Sequence, residues 1–153
     1  MKKIILSAVV LFFAIAVNAQ VESPVKWTYS AKKINADTYE LHIIATVSGK
    51  WHIYSQDIPD GGAVPTSFTF DKNPLVKTEG KVEEIGKLEK VYDKNFKMNL
   101  KFYSKTVDFV QKVKLKTAIN TVAKGKVTFM VCNDEKCLPP KDVAFAIKIN
   151  PKG

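Results

Sequence analysis

The chain has 153 residues, 46% of them hydrophobic, and a formal charge of +9 that comes entirely from lysine, since it contains no arginine. The 24 lysines are scattered among 15 acidic residues with no basic run, which describes a solvated surface and argues against a nucleic-acid or anionic-membrane binder. Nothing in it forms a hydrolytic triad, a phosphate-binding loop or a zinc motif, so the chemistry must be sought elsewhere.

The chain starts Met1-Lys2-Lys3, continues with an apolar run from Ile4 to Val17 broken only by Ser7, and reaches Val17-Asn18-Ala19. This is the pattern of a secretory signal peptide over residues 1–19, cleaved after Ala19. The run is shorter than the roughly 20 residues that span a bilayer, and no cysteine follows it for lipid attachment. Removing 19 residues from 153 leaves 134, with a formal charge of +7 once Lys2 and Lys3 are gone. That length suits one domain, 20–153, with one core and no membrane span of its own.

Alternation with period two recurs along the mature chain, and only a short stretch near Lys81 to Lys90 suggests a helix. From Thr38 to Val47, the side chains of Tyr39, Leu41, Ile43, Ala45 and Val47 share one face, and Thr38, Glu40, His42 and Thr46 the other. Ser48-Gly49 supplies a tight turn, and Trp51 to Gln56 reads as the returning strand. A loop with Pro59, Asp60-Gly61-Gly62 and Pro65 precedes a strand from Thr66 to Phe70. Phe96, Met98, Leu100 and Phe102 then alternate with Lys97, Asn99, Lys101 and Tyr103, and a further alternating stretch runs from Val107 to Leu115. The last two strands are expected from Lys126 to Val131 and from Val143 to Ile149, joined by a connection at a sheet end. About eight short strands without intervening helices predict an all-β, two-sheet antiparallel sandwich.

That final connection carries the only two cysteines, in Phe129-Met130-Val131-Cys132-Asn133-Asp134-Glu135-Lys136-Cys137-Leu138-Pro139-Pro140. Behind an export signal they face an oxidising compartment, where a pair this close is expected to form a disulfide. Linking so short a loop stabilises by only about 2 kcal/mol, which makes a weak staple. The other use is exchange: a thiolate attacks a disulfide, a mixed disulfide forms, and the second cysteine resolves it. Pro139-Pro140 lacks backbone donors and should stiffen the exit from a tight, surface-facing loop. Asp134 and Glu135 would raise a nearby thiol pKa and Lys136 would lower it. The spacing departs from the two-residue gap of thioredoxin-like motifs, and no βαβ pattern surrounds it. A structural hairpin disulfide therefore stays open as the alternative.

Trp51-His52-Ile53-Tyr54-Ser55-Gln56, Gly61-Gly62, Pro65-Thr66-Ser67-Phe68, Tyr92-Asp93 with Phe96, and Cys132 through Cys137-Leu138-Pro139-Pro140 together resemble the N-terminal periplasmic domain of the DsbD family over most of the mature chain. The resemblance implies an immunoglobulin-like sandwich in the periplasm that acts as a thiol-disulfide oxidoreductase relay, a protein-disulfide reductase without cofactor or metal. Its cysteine pair would take electrons from a thioredoxin-like donor and pass them to periplasmic oxidoreductase clients. Cys132 and Cys137 match the redox pair, with Cys137 as the attacking thiol and Cys132 as the resolving one. The family shields its cysteines with an aromatic-bearing cap loop. His52 and Tyr54 match the aromatic-strand positions beside the site, and Tyr92 or Phe96 falls where cap residues lie; with Pro139 and Pro140 these are the supporting residues.

The sequence departs from that pattern in three ways. It has one residue fewer between the cysteines than the best-known members, and Val91 stands nearest the position of the cap phenylalanine. No membrane electron carrier or thioredoxin-like domain follows the first domain, so a relay role calls for partners on other chains.

Other readings accompany this one. His52 beside the loop suits a proton shuttle or a plain strand histidine, and His42 lies on the polar face of its strand. Trp51 and Tyr54 point to opposite faces, one toward the core and one toward the site. From a different class, the chain reads as a non-catalytic interaction module whose disulfide fixes a loop. A third reading is a small Cu(I) site from Cys132, Cys137, Met130 and a histidine, since soft sulfur ligands suit that ion.

Overall fold

The computed structural model describes residues 23–151; the expected leader, 1–19, lies outside them. Ten strands follow in order: β1 (Val25–Lys33), β2 (Thr38–Val47), β3 (His52–Tyr54), β4 (Ser67–Phe70), β5 (Val76–Gly86), β6 (Glu89–Asp93), β7 (Met98–Tyr103), β8 (Thr106–Leu115), β9 (Thr121–Cys132) and β10 (Cys137–Ile149). They pair antiparallel in two sheets, one ordered β1-β2-β8-β5 and the other β10-β9-β3-β7-β6, with β4 also on β9. The result is an immunoglobulin-like β-sandwich.

Alternation builds the core as the sequence implies. Tyr39, Leu41, Ile43, Ala45 and Val47 of β2 are all buried, and so are Val107, Phe109, Val113 and Leu115 of β8 beside them. From the facing sheet, Ala123, Val127, Phe129 and Val131 of β9 and Phe145, Ile147 and Ile149 of β10 close the same cluster. Aromatic rings bind the layers: the centroid of Phe109 lies 5.0 Å from that of Phe68 and 6.2 Å from that of Trp27, and Trp27 meets Phe129 edge-on at 5.2 Å.

Several expectations change. The helix near Lys81 to Lys90 is absent: the segment is the end of β5, a turn and β6. Val82, Ile85 and Leu88 recur at helical spacing, but β5 pairs with β8 from Val76 to Gly86, and Ile85 and Leu88 remain exposed. Pairing along a sheet edge overrides the local pattern. The strand expected over Trp51 to Gln56 contracts to His52–Tyr54: the Ser55 N–H still donates to the Lys101 carbonyl (3.0 Å), while the Ser55 hydroxyl and the Gln56 N–H turn to Glu84. The final two strands lengthen from the expected Lys126–Val131 and Val143–Ile149 to meet at the cysteines, so Pro139 and Pro140 fall within β10 and the connection is a four-residue hairpin tip, 133–136.

Strands β3 and β4 occupy successive stretches of one edge of β9, β3 opposite Val131 and Cys132 and β4 opposite Gly125 to Thr128. Close approach dictates the glycine: a β-carbon at position 125 would run into the Thr69 carbonyl oxygen and the Phe145 ring. Glu84 of β5 fastens the two sheets beside β3. Its carboxyl oxygens accept from the Ser55 hydroxyl (2.8 Å), the Gln56 N–H (2.6 Å) and the Tyr103 hydroxyl (2.7 Å). Thr66 returns from the intervening loop to donate to the Tyr54 carbonyl at 2.6 Å. These bonds fix where Tyr54 stands, and Tyr54 is the floor of the site.

Candidate functional site

Cys132 ends β9 and Cys137 begins β10, directly opposite one another with their Cα atoms 4.0 Å apart and their sulfurs joined. The next pair outward, Asn133 and Lys136, is hydrogen-bonded from the Asn133 N–H to the Lys136 carbonyl (2.9 Å). The cysteines thus take the non-hydrogen-bonded position, where cross-strand side chains approach most closely. The tip is held by Asn133, whose side-chain oxygen accepts from the N–H groups of Glu135 (2.9 Å) and Lys136 (2.8 Å). Asn133 therefore shapes the turn through an Asx-type bond.

The two cysteines differ in burial. Cys132 is fully buried and Cys137 partly exposed, which corrects the expectation of two thiols on a surface-facing loop. Both cysteines face a second, smaller core of Tyr54, Ala63, Leu100 and Phe102: Cys132 on the inner strand β9 is part of it, and Cys137 on the edge strand β10 packs at its margin. Phe96, Met98, Met130 and Cys137 pack against that cluster from its edge. Met130 also takes the Val64 N–H on its sulfur at 3.5 Å.

Pro139 and Pro140 lie within β10, where the register shifts between Leu138 and Lys141. β10 is an edge strand and the prolines sit at its irregularity, the two settings a sheet tolerates for residues without an N–H. They line an apolar groove with Val25, Phe129, Val131 and Leu138, on the flank of the hairpin.

His52 is the cross-strand partner of Cys132. Its ring stacks on Phe102 (4.2 Å, 27° between planes) and meets Tyr54 edge-on at 5.1 Å. The Tyr54 hydroxyl donates to Asp93 Oδ2 at 2.5 Å, and His52 Nε2 lies 3.2 Å from that hydroxyl and 3.7 Å from the same carboxyl oxygen. Burial, and then the Asp93 carboxyl, push the Tyr54 phenol far above its ordinary range, so it stays protonated as a donor.

Burial lowers the His52 pKa from its ordinary 6.5, against the opposing pull of Asp93, Asp134 and Glu89. The unfolded chain therefore takes up this proton first as pH falls. His52 then contributes a loss of stability that begins near the unfolded value and grows as pH drops toward the folded one. Urea midpoints at about pH 7.5 and about pH 5.5 should differ less in His52→Gln than in the unaltered protein.

Asp93 was not among the candidates in the sequence, yet it is buried and joins three elements. Besides Tyr54 and His52, it holds the turn between β6 and β7, its Oδ1 accepting from the N–H groups of Asn95 (2.8 Å) and Phe96 (3.3 Å). Asn95 in turn donates from Nδ2 to the Asn133 carbonyl at 3.2 Å. The cues in the sequence are its place in the Tyr92-Asp93 pair of the family pattern and an Asp two residues before an Asn in a polar stretch, a common turn signal.

Of the two aromatic cap candidates, Phe96 comes to the cysteine cluster, edge-on to Tyr54 at 6.1 Å. Tyr92 is exposed and lines a cleft of about 320 Å³ with His52, Val91, Asp93, Asn133 and Asp134. Trp51 packs on the main core, with the Lys136 ammonium 5.9 Å from its ring. His42 stands apart on the other sheet, its Nδ1 2.7 Å from Asp108 Oδ2.

A partly exposed cysteine bonded to a buried one, beside protonatable groups, suits an exchange in which an incoming thiolate attacks the more accessible residue and expels the other's sulfur. A family model described as "Thiol:disulfide interchange protein DsbD, N-terminal" matches residues 18–148. Among solved structures, the chain is similar to the N-terminal periplasmic domain of ScsB from Proteus mirabilis. The identity is 14% and the TM-score 0.56, over 80% of this chain and 44% of that one, so it spans under half of that chain's length. It is also similar to the N-terminal domain of Neisseria meningitidis DsbD in the reduced form, at 15% identity and a TM-score of 0.41 over 81% of this chain and 86% of that one. A third similar structure is of the complex between the DsbD and PilB N-terminal domains of the same organism, at 12% identity and a TM-score of 0.44 over 78% and 80%. None of the curated proteins compared matches the chain. At 14% identity the ScsB structure speaks for the fold alone, whereas the family match runs through the strand of His52 and Tyr54, the turn of Asp93 and both cysteines: the chain belongs to the family of DsbD N-terminal domains.

Proposed function

We propose that the protein is an exported thiol:disulfide interchange module that passes reducing equivalents to other periplasmic proteins through Cys132 and Cys137. The observation that carries this reading is the unequal burial of the two bonded cysteines at the base of one hairpin tip in a chain of this family. A donor thiolate attacks the partly exposed Cys137 sulfur, the Cys132–Cys137 bond breaks, and Cys132 leaves as a thiolate that takes up a proton. The donor's second thiol then attacks the mixed disulfide, loses its own proton and frees Cys137. Two electrons and two protons pass to the pair, and the donor becomes a disulfide. Delivery to a client runs the same steps in reverse, with Cys137 attacking and Cys132 resolving.

The donor is a thioredoxin-like protein and the clients are periplasmic oxidoreductases, as the family resemblance implies. His52, Tyr54, Phe96, Pro139 and Pro140 support the pair, with Tyr92 at the rim. The leader over residues 1–19, cleaved after Ala19, delivers the domain to that compartment. Mixing the oxidised protein with a reduced thioredoxin-like domain tests the reading: two free thiols should appear on this chain for each donor disulfide formed. Retention of the Cys132–Cys137 bond at equilibrium with excess reduced donor would count against it.

A further inference from the structure

Resting on that reading, we propose that Glu84 is a positioning residue for the exchange: from the opposite sheet it anchors the loop between β3 and β4, residues 55–66, which encloses Cys132, and so directs partners to Cys137 alone. The loop is held at both ends. At its start Glu84 accepts from the Ser55 hydroxyl and the Gln56 N–H, and the Ser55 oxygen in turn accepts from the Asp57 N–H at 3.1 Å. Gln56 adds a bond from Nε2 to the Val82 carbonyl, also on β5, at 3.2 Å. At its end Thr66 is buried and donates to the Tyr54 carbonyl. Between these ends the loop packs onto the smaller core. Ala63 is buried in the cluster that holds Cys132, Ile58 packs on that cluster, and the Val64 N–H points to the Met130 sulfur. At Gly62 a β-carbon would come within 3.0 Å of Met98 Sδ and 3.2 Å of Leu100 Cδ2, so the loop lies about as close as its backbone permits.

The Glu84 carboxylate collects three donors, two of them the hydroxyls of the buried residues Ser55 and Tyr103. Burial, and then that carboxyl, push the Tyr103 phenol far above its ordinary range, so it remains a donor. A charged acceptor among shielded donors makes strong bonds, and its removal leaves the Ser55 hydroxyl and the Gln56 N–H unpaired. The ion pair from Lys101 to Asp57 at the same end is exposed, the kind of contact that contributes little. Glu84 therefore carries the start of the loop, and its influence on exchange follows from what the loop covers.

The test is alkylation by iodoacetamide of single-cysteine proteins, with the urea midpoint of each recorded. In Cys137→Ser, where Cys132 remains, adding Glu84→Ala should speed labelling by about tenfold or more, the factor expected for losing charge-assisted hydrogen bonds. Glu84→Gln keeps one acceptor oxygen and should fall between. In Cys132→Ser the same changes should leave the labelling of Cys137 as it was. Val113→Ala, in the main core on β8, is the comparison: added to Cys137→Ser it should lower the urea midpoint and leave Cys132 slow to label.

Unchanged labelling of Cys132 in both Glu84 variants overturns the anchor, and so does an acceleration by Val113→Ala equal to that by Glu84→Ala, which would reduce Glu84 to a contributor to stability. The exchange reading is scored apart, by mixing with a thioredoxin-like partner. Cys137→Ser with Glu84→Ala should accumulate a mixed disulfide that Cys137→Ser alone does not. Faster alkylation of Cys132 with no mixed disulfide on either cysteine supports the anchor and contradicts the exchange reading.

Discussion

Cys132→Ser should accumulate a stable mixed disulfide with a thioredoxin-like partner, and Cys137→Ser should accumulate almost none. The asymmetry follows from access. With Cys132 replaced, the remaining sulfur is the partly exposed one; with Cys137 replaced, it lies within the Tyr54, Leu100 and Phe102 cluster. Thiol exchange requires an approach to the sulfur as well as a thiolate, so labelling of Cys137→Ser by an alkylating reagent should be slower than that of Cys132→Ser by about tenfold or more. Non-reducing gels after mixing with the partner, and mass spectrometry after alkylation, read both effects. Equal trapping by the two variants would mean that the hairpin exposes both sulfurs during reaction.

Phe109→Ala should cost about 3–5 kcal/mol, the range for truncating a buried aromatic residue. Phe109 is fully buried on β8 and contacts Phe68 from the opposite sheet and Trp27 from β1, so its loss opens a void between the layers that neither ring can fill alone. Against a total stability of about 5–15 kcal/mol this is a large fraction. Urea denaturation should show a lower midpoint with a similar slope. A loss below about 1 kcal/mol would mean that the layers collapse onto the vacated space.

The parts of the fold that were legible in the sequence are those where alternation coincides with burial on one face. β2 shows it in five consecutive inward residues, and β8 and the main body of β9 follow the same rule. β1 was missed although Val25, Trp27, Tyr29 and Ala31 alternate and Pro24 and Asn35-Ala36-Asp37 bound it. β5 and β6 are edge strands with few inward side chains, and their sparse apolar residues imitate a helix. Extending strands β9 and β10 to the cysteines required cross-strand registration that no local pattern encodes. The prolines of β10 argued for a loop, and only its place at the sheet edge makes them compatible with a strand.

The site was legible in its sulfur and aromatic residues and obscure in its polar ones. Cys132 and Cys137 announce themselves by rarity, and His52 and Tyr54 by their aromatic strand. Asp93 becomes special only when the β6–β7 hairpin brings it to the hydroxyl of Tyr54, 39 positions away in sequence. The same holds for Glu84, which looks like one more acidic residue of a solvated edge until β5 brings it against Ser55, Gln56 and Tyr103. Burial of a carboxyl among donors is a product of topology, and no spacing rule foretells it.

The measurement that bears most directly on this account is the reduction potential of the Cys132–Cys137 pair in the folded protein. It is obtained by equilibration in glutathione or dithiothreitol buffers, with free thiols counted and circular dichroism recorded on the same samples. The account predicts reversible reduction without unfolding, at a potential more oxidising than about −300 mV. A pair that stays bonded below about −300 mV, or yields only as the sandwich unfolds, would contradict it and leave the disulfide a structural staple.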